Sequence, residues 1–291
     1  MLKIQLIMMK TVKLLKRNHK NSVDELKVRD TSCPKGKKVE DIQYILEQVQ
    51  DSSLAKVLVK FWFVELRKSG INRTNERNNI MDDNQRMKIR NFGYLNQGAL
   101  KGQILFTGSS LMEMFPVCEI ARSQGIEQVI YNRGVSGLNT DEFLENIDTL
   151  LLDLEPSKIF INIGTNDITK ERFGDQWMSH LMDNICRIME IIKFRIPDVE
   201  IFIMAFYPAN LHLPWQTEQS IQWMKLRTPE NLTLCNHRLK EIAEKYGCRY
   251  LDCNEALVDE HGEQKSEYAI DGVHMYANGY LNVFKSLKPY L

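Results

Sequence analysis

The chain has 291 residues, 43% hydrophobic and 26% charged, with 38 Lys and Arg balancing 38 Asp and Glu. This composition suits a globular chain that can bury a full core, and zero net charge is not the footprint of a nucleic-acid binder. No stretch is long and apolar enough to span a bilayer as a helix.

The charge is unevenly spread: residues 1–40 hold 11 Lys and Arg against 4 Asp and Glu. Such a basic start reads as a solvated arm. The opening "MLKIQLIMMKTVKLLKRNHK" is broken by Lys10, Lys13 and Lys16. It lacks a small-residue cleavage site, so it does not read as a secretory signal. The six cysteines are scattered without a C-x-x-C pair, which argues against a disulfide framework or a zinc site and for a reducing, cytoplasmic setting. No metal or cofactor is expected.

Residues 39–70 show apolar positions at helical spacing, among them Ile42, Ile45, Leu46 and Val49. From "SGINRTNERNNIMDDNQR" the chain is polar and unpatterned, as a linker would be. Residues 1–95 are therefore expected to be a basic, mostly helical extension with its linker, and residues 96–291 a second domain.

Beyond about residue 95 short apolar runs alternate with amphipathic segments. "QILFTG" precedes a helix over 111–124, and "EQVIYNRG" precedes "TDEFLENIDTLLLDL". "KIFINIG" leads to a helix near 176–195, "VEIFIMAFYP" to one near 231–246, and "CRYLDCN", at a distance, to one near 277–289. Five strand–helix units in succession predict an α/β domain on a parallel sheet covered on both faces. Ligands of such sheets bind beyond the carboxyl ends of the strands.

Those ends deliver chemistry. The first gives Gly108, Ser109 and Ser110; the second, "NRGVSG", ends at Gly137; the third, "GTND", carries Asn166; "DGVH" places Asp271 and His274 before the last helix. A serine hydroxyl becomes a useful nucleophile when an imidazole takes its proton and a carboxylate fixes the imidazole tautomer. A helix-start N–H, a glycine N–H and an asparagine amide suit an oxyanion. Ordinary readings stand beside these: Ser110 as a helix cap, Gly137 as a turn glycine, Asn166 as an Asx turn, and Asp167 as a cap for the helix that follows it.

In this order the four blocks resemble the SGNH (GDSL-type) hydrolase family of esterases and lipases, over roughly residues 100–291. "TGSSLME" looks like its Gly-Asp-Ser-Leu block and aligns the nucleophile with Ser110, so that Ser109 stands where the family has Asp. The resemblance implies a flavodoxin-like three-layer α/β/α fold with a five-stranded parallel sheet. It also implies metal-independent hydrolysis of a small-molecule ester such as an acetylated sugar, a lysophospholipid or a short acyl ester. Catalysis would pass through an acyl-Ser110 intermediate with His274 as base, Asp271 as orienting acid, and Ser110, Gly137 and Asn166 as the oxyanion hole. An acyltransferase would use the same triad. The reading from another class is a non-catalytic ligand-binding module, favoured only by Ser109. The long stretch after the fourth strand is expected to shape a pocket, with Tyr207 and Trp215 as candidate lining residues. Trp223 and Met224 read as packing a short helix onto the core, and His212, His237 and His261, without company comparable to that of His274, as surface residues.

Overall fold

The computed structural model describes residues 81–291; the expected helix over 39–70 and the basic arm lie outside these residues. In chain order the principal elements, single-turn helices within the later loops aside, are α1 (Asp83–Asn96), β1 (Ile104–Gly108), α2 (Ser110–Glu113), α3 (Val117–Ser123), β2 (Ile130–Gly134), α4 (Thr140–Glu145) and β3 (Lys158–Asn162). There follow α5 (Trp177–Arg195), β4 (Glu200–Met204), α6 (Glu218–Met224), α7 (Pro229–Lys245), β5 (Arg249–Leu251) and α8 (Ala277–Leu287).

The five strands form one parallel sheet in the order β2-β1-β3-β4-β5. This is the flavodoxin-like order, whose chain reversal lies between β1 and β3. Side chains alternate across the sheet with the period of two that a pleated strand imposes. Leu105, Ile159, Ile161, Ile201 and Ile203 face one core, and Ile104, Phe106, Phe160 and Phe202 face the other. On the second face Phe106, Phe160 and Phe202 stand in register on neighbouring strands. Their rings stack with centroids 4.6 Å apart at both steps, within the range favoured by offset aromatic pairs.

Helices close both faces. α5 buries Leu181, Ile185, Ile188, Met189 and Ile192, one stripe at helical spacing, and α7 buries Leu232, Cys235, Leu239 and Ile242 beside it. α3 and α8 cover the other face through Val117, Ile120, Val283, Phe284 and Leu287. Each fully buried aliphatic or aromatic side chain of this kind contributes about 1.5–3 kcal/mol. Helix starts follow local chemistry. Asn139 and Glu142 form a reciprocal capping box for α4, and Thr228 caps α7 with Pro229 at its first position.

The polar stretch expected as a linker ends in a helix. α1 opens on a capping box between Asp82 and Gln85, and it docks largely through hydrogen bonds, with Ile89 its one buried apolar residue. Gln85 Nε2 donates to the Ser136 carbonyl at 3.0 Å, Asn96 Nδ2 donates to the Thr149 carbonyl at 2.8 Å, and Arg133 Nε donates to Asn96 Oδ1 at 3.1 Å. An apolar-periodicity test does not detect a helix held in this way. The expected helix over 111–124 is two short helices, because α2 stops at Glu113 and Pro116 precedes α3.

Among the described residues no helix is long and apolar enough to cross a membrane, and the five described cysteines are free thiols.

Candidate active site

β1 ends at Gly108, and Ser109 and Ser110 open α2 immediately beyond it. Ser110 is 8% exposed, and its Oγ lies 2.8 Å from His274 Nε2. The other ring nitrogen, Nδ1, lies 2.6 Å from Asp271 Oδ2, while Asp271 Oδ1 accepts the backbone N–H groups of Val273 and His274 at 3.0 and 2.9 Å. Burial opposes the charge on Asp271. The bonds from the His274 side chain and the two backbone N–H groups outweigh it, so the carboxyl is held well below the usual carboxylate range. A carboxylate that stays ionised toward Nδ1 keeps the lone pair of a neutral imidazole on Nε2, facing the hydroxyl.

The loop carrying Asp271 and His274 is held from behind. Gln216 Nε2 donates to the carbonyls of Asn210 and Asp271 at 2.7 and 2.9 Å, and Asn210 N–H donates to the Gly272 carbonyl at 2.8 Å. This approach is so close that a Cβ on Gly272, whose φ is +95°, would lie 2.1 Å from Gln216 Nε2. Only glycine fits the loop at that point.

The loops after β2 and β3 are tied together. Asn166 Nδ2 donates to the Leu138 carbonyl at 3.0 Å, one residue beyond Gly137. Asp167 accepts from the Thr140 backbone N–H at 3.0 Å and from the Thr140 hydroxyl at 2.5 Å. Asp167 therefore serves the start of α4, which precedes it in sequence, and not the helix that follows it. Burial pushes its carboxyl up to about 7, against the pull of the Thr140 bonds. Among the described residues, nothing accepts from the backbone N–H of Ser110 or of Gly137.

Arg227 has no motif around it and was not among the sequence candidates. It is 3% exposed; its Nε donates to the Thr165 carbonyl at 3.1 Å and its Nη2 to Asn166 Oδ1 at 3.3 Å. Its guanidinium carbon lies 3.9 Å from the centre of the Trp223 ring. Burial lowers its pKa to about 10, while Asp271 and Asp167 pull the other way, so it remains a cation at neutral pH. By holding Oδ1, Arg227 fixes which end of the Asn166 amide carries the N–H donors.

The two expected pocket aromatics diverge. Trp215 is 53% exposed and its Nε1 donates to the Ile270 carbonyl at 2.9 Å, beside the catalytic-loop candidate Asp271. Tyr207 is 3% exposed inside the second core, so its ring is not available as a pocket wall. It continues the buried run of β4 through Ala205 and Phe206. Met224 is buried and packs α6 onto the core as expected, but Trp223 is 45% exposed and lies over the Arg227 guanidinium instead of entering the core. His212, His237 and His261 are on the surface as expected, each beside a glutamate: His212 Nδ1 lies 2.9 Å from Glu263, His237 Nδ1 3.5 Å from Glu241 and His261 Nε2 3.9 Å from Glu260.

A hydroxyl, an imidazole and a carboxylate in one hydrogen-bonded line is the arrangement that acyl transfer through an activated serine needs. The sequence profile of the GDSL-like Lipase/Acylhydrolase family matches residues 119–281, more than half of the chain. The chain belongs to that family. As a member it is a serine hydrolase acting on ester bonds.

Solved structures agree on the fold. A protein from Streptococcus pneumonia, provisionally named as a platelet activating factor, is 28% identical with a TM-score of 0.62, over 82% of this chain and 99% of that one. An acylhydrolase, so named, from Bacteroides fragilis is 21% identical with a TM-score of 0.58, over 72% and 97% of the two chains. A GDSL-like lipase from Bacteroides thetaiotaomicron is 20% identical with a TM-score of 0.57, over 69% and 96%. No curated protein matches the sequence.

Proposed function

We propose that this family member is an esterase in which Ser110 is the nucleophile, His274 the general base and then acid, and Asp271 the residue that orients the imidazole. The observation that carries the reading is the unbroken line of contacts from Ser110 Oγ to His274 Nε2, 2.8 Å, and from Nδ1 to Asp271 Oδ2, 2.6 Å. Ser110 Oγ attacks the ester carbonyl while its proton passes to Nε2. The tetrahedral oxyanion is received by the N–H groups of Ser110 and Gly137 and the Asn166 amide. Collapse expels the alcohol, which takes the proton from His274 and leaves an acyl-Ser110 ester. Water, deprotonated by the same imidazole, then releases the acid. The substrates are small carboxylic esters: acetylated sugars, lysophospholipids or short acyl esters.

A fluorophosphonate probe and p-nitrophenyl acetate test this together. Wild type should be labelled on Ser110 and hydrolyse the ester, and Ser110→Ala should do neither while keeping its circular dichroism. Labelling at another residue, or hydrolysis persisting in Ser110→Ala, would discard the assignment.

A further inference from the structure

The segment Val135–Leu138 is a four-residue turn closed by a bond from the Leu138 N–H to the Val135 carbonyl, 3.4 Å. Its third residue, Gly137, has φ +79°, while Ser136 is not among the residues with positive φ. That combination is a type II turn. Types I and II differ in the orientation of the central peptide, here the unit that joins the Ser136 carbonyl to the Gly137 N–H. In a trans peptide these two groups point in opposite directions. Flipping the unit would reverse both, so whatever grips the Ser136 carbonyl also decides where the Gly137 N–H points.

The grip comes from α1. Gln85 is 7% exposed and uses both ends of its amide: Oε1 accepts the Asp82 N–H at 2.9 Å, and Nε2 donates to the Ser136 carbonyl at 3.0 Å. A Cβ on Gly137 would lie 2.9 Å from Gln85 Nε2, so the side chain lies directly against this peptide. The other side of Ser136 is held as well. Its N–H donates to Glu113 Oε2 at 2.5 Å, and Lys88, one turn along α1, bonds Glu113 Oε1. Burial opposes the charge on Glu113, but Lys88 and Ser136 hold its carboxyl below the usual range. Of the polar groups on the Ser136 backbone and the Ser136–Gly137 peptide, the Gly137 N–H alone has no acceptor among the described residues. A donor on the carbonyl also polarises the peptide and strengthens its N–H.

We infer that Gln85, on a helix that lies outside the family-matched residues 119–281, is a positioning residue for catalysis: it locks the 135–138 turn in the form that presents the Gly137 N–H to the oxyanion. The inference rests on the oxyanion role proposed above for Gly137. It predicts a loss in the transition state and not in substrate binding, because the ground-state ester carbonyl carries little of the charge that this N–H meets.

The experiment compares Gln85→Ala, Gln85→Glu, Arg86→Ala and Ser110→Ala in the full chain. Kinetics on p-nitrophenyl acetate are paired with inhibition by a short alkyl boronic acid, whose serine adduct places an oxygen at the oxyanion position. Gln85→Glu keeps the length of the side chain and an acceptor for the Asp82 N–H, so α1 retains its cap while the donor to Ser136 is lost. This separates positioning from helix stability. Among the described residues Arg86 pairs with Asp83 alone, on the exposed side of α1, and it serves as the control.

Both Gln85 variants should lose kcat about tenfold or more, short of the roughly 10²–10³-fold typical of deleting a direct oxyanion donor. KM should stay within about twofold, boronate affinity should fall in parallel with kcat, and Arg86→Ala should match wild type. If Ser110→Ala is inactive while Gln85→Glu keeps wild-type kcat and boronate affinity, the positioning role is overturned and the nucleophile assignment stands. A loss of kcat in Gln85→Glu without a loss of boronate affinity overturns it equally. Hydrolysis by Ser110→Ala would overturn the nucleophile assignment and the positioning role with it.

Discussion

Ser110 Oγ and His274 Nε2 stand 2.8 Å apart although 164 residues separate them in the chain. The sheet explains the meeting. Ser110 is separated only by Ser109 from the end of β1, an interior strand, and His274 sits in the loop that enters α8, a helix that covers one face of the same sheet. The Tyr280 hydroxyl on α8 donates to the Leu111 carbonyl at 2.9 Å, which ties that helix to the turn bearing the serine.

Asp271 divides its two oxygens between the imidazole and two backbone N–H groups. Asp271→Asn should keep the second set, and therefore the loop, while an amide N–H facing Nδ1 favours the wrong imidazole tautomer. The expected result is a fall in kcat of about 10⁴-fold with little change in KM or in circular dichroism, by analogy with a triad that loses its acid. A fall of less than tenfold would mean that the tautomer does not depend on this carboxylate.

Ser109 is fully buried, and its hydroxyl has no partner among the described residues. Removing an unpaired buried hydroxyl relieves a desolvation cost without losing a bond. Ser109→Ala should therefore hydrolyse p-nitrophenyl acetate within about fivefold of wild type and be as stable or up to about 1 kcal/mol more stable. A loss of activity comparable to that of Ser110→Ala, with the fold intact, would show that this hydroxyl takes part in the reaction.

Arg227→Met keeps a long apolar side chain under Trp223 but abandons the Thr165 carbonyl and Asn166 Oδ1. Losing both charge-assisted bonds should cost about 1–3 kcal/mol in urea denaturation. Asn166 keeps its bond to the Leu138 carbonyl but loses the partner of Oδ1, so its amide is held less firmly and kcat should fall more than KM rises. Arg227→Lys restores the charge but not the fork that reaches both acceptors, so it should recover only part of kcat. Full recovery would assign the effect to charge alone.

How far the sequence could be read follows from which interactions hold each element. The strands announce themselves because both faces of a parallel sheet are buried, so "ILFTG", "KIFIN" and "EIFIM" are near-continuous apolar runs. The helices α5, α7 and α8 were legible from their apolar stripes. Ser110, Asp271 and His274 were picked out by the order of their blocks, and the fold brings them together. α1 was missed because polar side chains dock it; the Asp82–Gln85 capping spacing was the one local signal available. Arg227 was missed because its value lies in partners 61 and 62 residues away. Tyr207 misled because an aromatic at a strand end looks the same in sequence whether it meets a pocket or continues the core.

Asp167 offers a test in pH. Its folded-state carboxyl titrates near 7 against an ordinary value of 3.8, burial being the larger cause. Between those values the unfolded chain gives up the proton first, so the folded protein holds more protons and stability falls as pH rises. The contribution of this group is complete below about pH 4 and is lost as pH climbs through about 7. Asp167→Asn keeps an oxygen for the Thr140 N–H and hydroxyl but cannot ionise. The difference in unfolding free energy, Asp167→Asn minus wild type, should therefore grow steadily from pH 4.5 to pH 8 in urea titrations. A difference that stays flat across that range would mean that Asp167 is already ionised at the acid end, with the Thr140 bonds outweighing its burial.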